Sequence, residues 1–226
     1  MADSTATRKA ILVLSLALLG GGAWVGYREA LPYFSSGIED AERFSALAEG
    51  PPTPGPSIAS ERLVLDVCVR TIASIYGRLQ SATRKATVND NCRKAADAAV
   101  RVNPSSSYAW YVGALASGLT GDIAGMNMRL LRSQQTGPSE QWIAELRVPL
   151  AEDHLGQLAP EVRANHDRDL RMLVASSRGI SSIAGRYVDE AGFRERITAI
   201  VEAMPEEDQR RFVSRVGSAA RSAVGG

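Results

Sequence analysis

Two histidines are the chain's only imidazoles, and each stands beside carboxylates: His154 follows Glu152-Asp153, and His166 precedes Asp167 and Asp169. Imidazole with carboxylate is zinc-ligand chemistry. The spacing matches no H-E-x-x-H pattern, however, and both stretches read as solvated helix faces, so no metal site is expected. Acyl and phosphoryl transfer are no better served, because the sequence holds neither a G-x-S-x-G elbow nor a G-x-x-x-x-G-K-[ST] cradle. Gly118 to Gly125 carries three glycines around Thr120 and Asp122 without a phosphate-binding partner, and reads as a turn. The acids Glu206-Glu207 suit the positive end of a helix dipole better than glycoside hydrolysis. Arg210-Arg211 is short and diluted by acids, and the formal net charge is +1, so a nucleic-acid surface is not expected. The expectation is a chain with no catalytic residue, no metal and no cofactor.

Cys68 and Cys92 are the only cysteines. A disulfide between them is permitted if their domain lies outside the cytoplasm. Thr83 to Asn91 is polar and reads as a loop, which places Cys92 just after a turn and Cys68 well before it. At 1.5 Å per residue the axial offset is roughly 10–15 Å, whereas a bridge needs Cα atoms within about 7 Å. Two readings stay open: a long loop folds back to bring the pair together, or both are small buried core residues.

The elements that would carry these residues are helical. Ala, Leu, Arg and Glu are abundant, strand-forming runs are scarce, and lysine stands only at Lys9, Lys85 and Lys94. An all-α fold follows. From Ala10 to Tyr27 there is no charge. As a helix that run is about 27 Å long, close to the ~30 Å hydrocarbon core of a bilayer. Arg8-Lys9 precede it and hold residues 1–9 on the cytoplasmic side; Trp24 and Tyr27 sit at its far end, where amphipathic rings favour the interface. Residues 10–28 therefore read as a signal anchor in a bacterial inner membrane, with the bulk of the chain periplasmic. A signal peptide cleaved after Ala23 is the competing reading, since Gly21-Gly22-Ala23 are small; the apolar run continues past Ala23 and favours the anchor. Gly22 and Gly26 have the spacing at which two membrane helices approach closely, which would make a homodimer, although a glycine cluster is equally at home near the end of a signal segment.

Residues 29–59 follow as a short helix and a linker. Gly37 to Glu49 places Ile38, Ala41, Phe44, Leu47 and Ala48 on one helical face. Gly50-Pro51-Pro52-Thr53-Pro54-Gly55-Pro56-Ser57 reads as a stiff extended spacer that separates the membrane end from the folded part. Beyond it, Ser60 starts a helix whose apolar face runs Leu65, Cys68, Ile72, Ile75, Leu79, and Asn91 caps a second whose inner face is Cys92, Ala95, Ala96, Ala99 and Val100. After Pro149, which interrupts a helix, Pro160-Glu161 opens another carrying Val162, Leu170, Leu173 and Val174. Ser176 to Ser182 reads as a break before a short helix at Ile183, Ala184 and Tyr187; Phe193, Ile197, Ile200 and Val201 belong to the next. Pro205-Glu206-Glu207-Asp208 starts the last, with Phe212, Val213, Val216 and Ala220 on its apolar side.

Asn103 to Trp142 is the most structured stretch. Pro104 and Pro138 stand 34 residues apart, and Gly121-Asp122 divides the interval into two runs of helical length. Trp110 is followed by Ala114, and Cys92 and Ala99 precede Pro104. This pattern resembles the tetratricopeptide repeat, in which small residues let paired helices touch and an aromatic fills the gap to the next pair. The sequence departs from it at Ser117, Met126 and Ser133, and after Pro138 the register slips by two. The resemblance spans about Ala73 to Arg147. It implies antiparallel helical hairpins, a short α-solenoid over residues 60–150, with residues 151–226 as a helical cap. It also implies a protein-binding surface, whose candidate residues are Tyr108, Trp110, Tyr111 and Trp142; the bland alternative is that these aromatics pack between helices. The implied function is an anchored adaptor for other envelope proteins, in a setting such as surface-polysaccharide assembly. A glycan- or wall-acting enzyme using exposed carboxylates, and a secreted repeat domain, are the alternatives.

Overall fold

The computed structural model describes residues 2–35 and 39–224, with side chains over 7–34 and 39–218. Gly37, Ile38 and the side chain of Ala220 lie outside the described residues. Twelve α-helices and one 3-10 turn make up the described chain, with no strand among them. They fall into two compact units, Met1–Ala95 and Ala96–Gly226, and the division lies within one helix.

In the first unit, α1 (Ala2–Ser35) is a single helix with its apolar side chains in the open, Leu14 61% and Leu19 71% exposed. Thr7–Phe34 is long and apolar enough to cross a membrane. At about 51 Å the helix outreaches the hydrocarbon core, so its last turns extend beyond Arg28, whose guanidinium lies 5.4 Å from the Trp24 ring.

The proline-rich segment is not a spacer. It folds back on the end of α1, where the Glu29 carboxylate accepts hydrogen bonds from the Ser57 N–H (3.1 Å) and the Ser57 hydroxyl. Gly55 sits so close that a Cβ there would lie 2.7 Å from the Glu29 Cα. Prolines leave this segment few N–H donors, and those of Gly55 and Ser57 are satisfied by Ser60 Oγ and Glu29.

The helix α2 (Asp40–Glu49) buries Phe44 and Leu47. α3 (Ile58–Ala73) is capped by Ser57, not Ser60, and ends at Ser74. There a second cap starts the short α4 (Ile75–Leu79) and shifts the phase of the apolar pattern. Ile75 and Leu79 are consequently exposed, and the face expected to run through them stops at Ile72. The stretch Thr83–Asn91 is not a loop but the first half of α5 (Ala82–Val102). Asn91 is not a cap of its own helix; its Nδ2 donates to the Leu47 carbonyl at 2.8 Å, closing the end of α2. The chain turns at Gln80-Ser81, midway between the cysteines. That levels Cys68 with Cys92, and they are disulfide-bonded with Cα atoms 5.7 Å apart.

The second unit holds α6 (Ser107–Leu119), α7 (Ile123–Thr136), α8 (Gln141–Asp153), α9 (Pro160–Val174), α10 (Ser177–Asp189), α11 (Ala191–Glu202) and α12 (Glu206–Val224). α6 and α7 are joined through Gly121, the one residue at positive φ (80°) among those described, and Asp122, whose side chain caps α7. They run antiparallel: Ser107 meets Ser133, Gly113 meets Arg129 and Gly118 meets Met126. α8 and α9 do the same, through Arg147 with Asp169 and Glu152 with His166. Each helix packs on its successor or on the next but one: α6 on α7 and α8, α7 on α9, α8 on α9 and α10, α9 on α10 and α11, α10 on α11 and α12.

Two breaks expected here are absent. α8 runs through Pro149, and α10 begins at Ser177 with Ser176 as its cap, so Ser177 to Ser182 is helical. Val213 is 68% exposed, leaving Phe212 and Val216 to seat α12. The core beneath is formed by Val148, Leu170, Leu173, Ile180, Phe193 and Ile197.

Candidate functional site

The four aromatics of the second unit divide. Tyr108 and Tyr111 are buried and their rings stack at 6.2 Å; the Trp142 ring reaches Tyr108 from α8 at 5.5 Å. Burial pushes the Tyr111 phenol up to about 12. Trp110 points elsewhere and spends its indole N–H on the Pro104 carbonyl at 2.8 Å, pinning the turn before α6. Only Trp110 and Trp142 retain partial exposure. Tyr108 and Tyr111 thus fill the space between helices, and any recognition surface here is reduced to the two indoles.

Ser117 and Ser133, which depart from the repeat pattern, have defined work. Ser133 Oγ donates to the Ser107 carbonyl at 2.8 Å, a direct tie between α6 and α7. Ser117 Oγ accepts from Arg129 at 3.3 Å, while the same guanidinium grips both Asp97 oxygens at 3.0 and 3.1 Å.

The histidine–carboxylate stretches are only partly solvated: Asp153 is exposed and His154 and Asp167 are half-buried, but Glu152, His166 and Asp169 are buried. Helical spacing turns His166 and Asp169 inward with Val162, Leu170 and Leu173. His166 Nε2 lies 2.6 Å from Glu152 Oε1, and the other Glu152 oxygen accepts from Arg196 on α11. Burial alone would raise the Glu152 carboxyl; the hydrogen bonds from His166 and Arg196 outweigh it and hold the group below its ordinary value. One turn away Arg147, with no exposed surface, forms a bidentate pair with Asp169 (2.6 and 2.7 Å). Its remaining nitrogen donates to the carbonyls of Ser133 and Gly137 at the end of α7, at 3.0 and 3.2 Å. His154 belongs to neither group and meets Gln157 at 3.0 Å.

These groups have catalytic residue types, but Arg147, Glu152, His166 and Asp169 are buried and Arg196 alone among them reaches the surface. They tie α7, α8, α9 and α11 together. Among the described residues, no group of three or more His, Cys, Asp or Glu could hold a metal ion. The sequence carried one usable sign of them. Arg147 falls within the apolar stripe Ile143, Ala144, Val148, Ala151, and a charge at such a position must be paired inside.

In the first unit Gly22 and Gly26 lie on the exposed surface of α1, and a Cβ added at either would meet nothing within 4 Å outside its own helix. A cleft of about 380 Å³ lies between α2, α3, the proline segment and Pro32 of α1. No family model matches the chain, and no curated protein or solved structure is significantly similar to it.

Proposed function

We propose that this chain is a single-span, membrane-anchored scaffold whose helical hairpins, related in design to tetratricopeptide repeats, hold other proteins of a bacterial envelope together on the periplasmic side. The observation that carries this reading is α1: a 34-residue helix whose apolar side chains are exposed along the whole uncharged run from Ala10 to Tyr27. Water does not favour such a surface, and lipid does. The packing order of the second unit supports the solenoid half of the reading, since odd helices stack on odd and even on even, as in stacked hairpins. In this reading the inward-facing histidine and acids serve to tie the stacked helices together. Gly22 and Gly26 would let two such anchors approach.

Carbonate extraction with intact N-terminal mass tests the anchor; a mature chain beginning at Trp24 overturns it. A periplasm-dependent reporter fused after Gly226 tests the orientation. Crosslinking and capture from intact membranes tests the scaffold. A hydrolase activity of the purified chain that is abolished by changing a carboxylate, with no captured protein, overturns it.

A further inference from the structure

We propose that the cleft of the first unit takes one acyl chain of a phospholipid from the leaflet at which α1 emerges. The inference rests on α1 crossing the membrane. Given that, the position of the cleft follows. The uncharged run ends at Tyr27, and Pro32, which forms part of the cleft wall, is five residues further along the same helix. That is about 8 Å, the thickness of a headgroup layer. The Pro32 wall of the cleft therefore lies at the depth of the bilayer surface. Leu31, Tyr33 and Phe34 flank Pro32 and are 40%, 51% and 86% exposed, so the lipid-facing character of α1 continues to its edge.

Its chemistry selects hydrocarbon. Leu47, Leu63, Val64 and Val67 supply apolar walls from α2 and α3. Pro51 and Pro52 close another side with a backbone that has no N–H to leave unsatisfied. Arg43 and Glu49 are the charged residues that line it, one of each sign, and Arg43 is already ion-paired with Asp40, so the wall presents no single-sign field to a charged ligand. A volume of about 380 Å³ is within the range of small-ligand pockets. The cleft is also held in shape: the Glu29–Ser57 hydrogen bonds and the close approach of Gly55 fix the proline segment against α1, and the Asn91–Leu47 bond fixes the end of α2.

The test uses the full chain in nanodiscs of phosphatidylethanolamine and phosphatidylglycerol, doped with a phospholipid carrying a diazirine at the end of one acyl chain. After irradiation, peptide mapping is expected to show lipid adducts on residues 10–27 and, separately, on residues 43–67. Ala46, an exposed position in α2 at the cleft, becomes Ala46→Trp to fill it, and Leu63→Gln makes the wall polar. Both are expected to lose the adduct on 43–67 and keep that on 10–27. Label on 10–27 with none on 43–67 overturns the proposal and leaves the anchor standing. No label on 10–27 overturns the anchor, and the premise with it. A diazirine amino acid at position 46 that captures a polypeptide and no lipid in native membranes also overturns the proposal, since a protein then fills the cleft.

Discussion

Arg147 is the largest side chain buried without residual exposure, and its charge is matched by Asp169 at both oxygens. Removing one partner strands the other inside, which costs about 3–5 kcal/mol. Asp169→Ala is therefore expected to lower the unfolding free energy of the second unit by that amount, read as a lower urea midpoint. The double change Arg147→Met with Asp169→Leu is expected to recover much of it. A midpoint unmoved by Asp169→Ala would show that the pair is not closed to water. Glu152 supplies a pH signature. Its carboxyl is held below the ordinary 4.5 in the folded chain, so the folded state binds fewer protons there than the unfolded chain. Its contribution is complete above about pH 4.5 and is lost as pH falls through the lowered value. Thermal melts between pH 6 and pH 3 should show that loss, and Glu152→Gln should flatten it. A variant with the parent's acid sensitivity would assign the effect to other carboxylates.

At the scale of elements, caps and turns set the boundaries more than propensity did. Ser74 ends α3 and starts α4, Asp122 starts α7 and Ser176 starts α10. Gly121 was readable as a turn because a left-handed residue favours glycine. The helical first half of α5 was not readable: Thr83 to Asn91 is polar and faces largely outward, so it shows no apolar period although it is helical. That single difference moves the turn to Gln80-Ser81 and lets the disulfide close. With the cysteines 24 positions apart in sequence, chain-entropy arguments give the bridge about 3–4 kcal/mol. Changing both to alanine should cost that much, with lost amide protection centred on α3 and the first half of α5. Protection unchanged across residues 58–95 would mean that the bridge is not formed in the folded protein.

For the whole molecule, the governing question is what surrounds α1. Leu18 stands near the middle of the uncharged run and is 69% exposed. In water a lone surface leucine tolerates arginine. At the centre of a bilayer the same change costs about 2.5–3.5 kcal/mol on insertion scales. Leu18→Arg is expected to reduce the membrane-retained fraction of the chain while leaving the melting of the second unit unchanged. Full retention of the variant would argue against a span. The two compact units differ in what holds them: a disulfide and side-chain clamps in Met1–Ala95, stacked helices around a shared core in Ala96–Gly226.

By itself the sequence determined the helical class, the apolar N-terminal segment, the Gly121-Asp122 turn and the start of the last helix. Each is a local property: propensity, hydropathy, a backbone conformation or a dipole preference acts within a few residues. Only the tertiary structure decided which polar residues face inward. His166, Asp169 and Arg147 are polar in any window, and their burial depends on partners 14 to 22 residues away. It also decided that the proline segment returns to Glu29, across 28 residues, because stiffness constrains a segment's shape but not its destination. The cleft beside Pro32 arises from that return, and no single stretch of the sequence contains it.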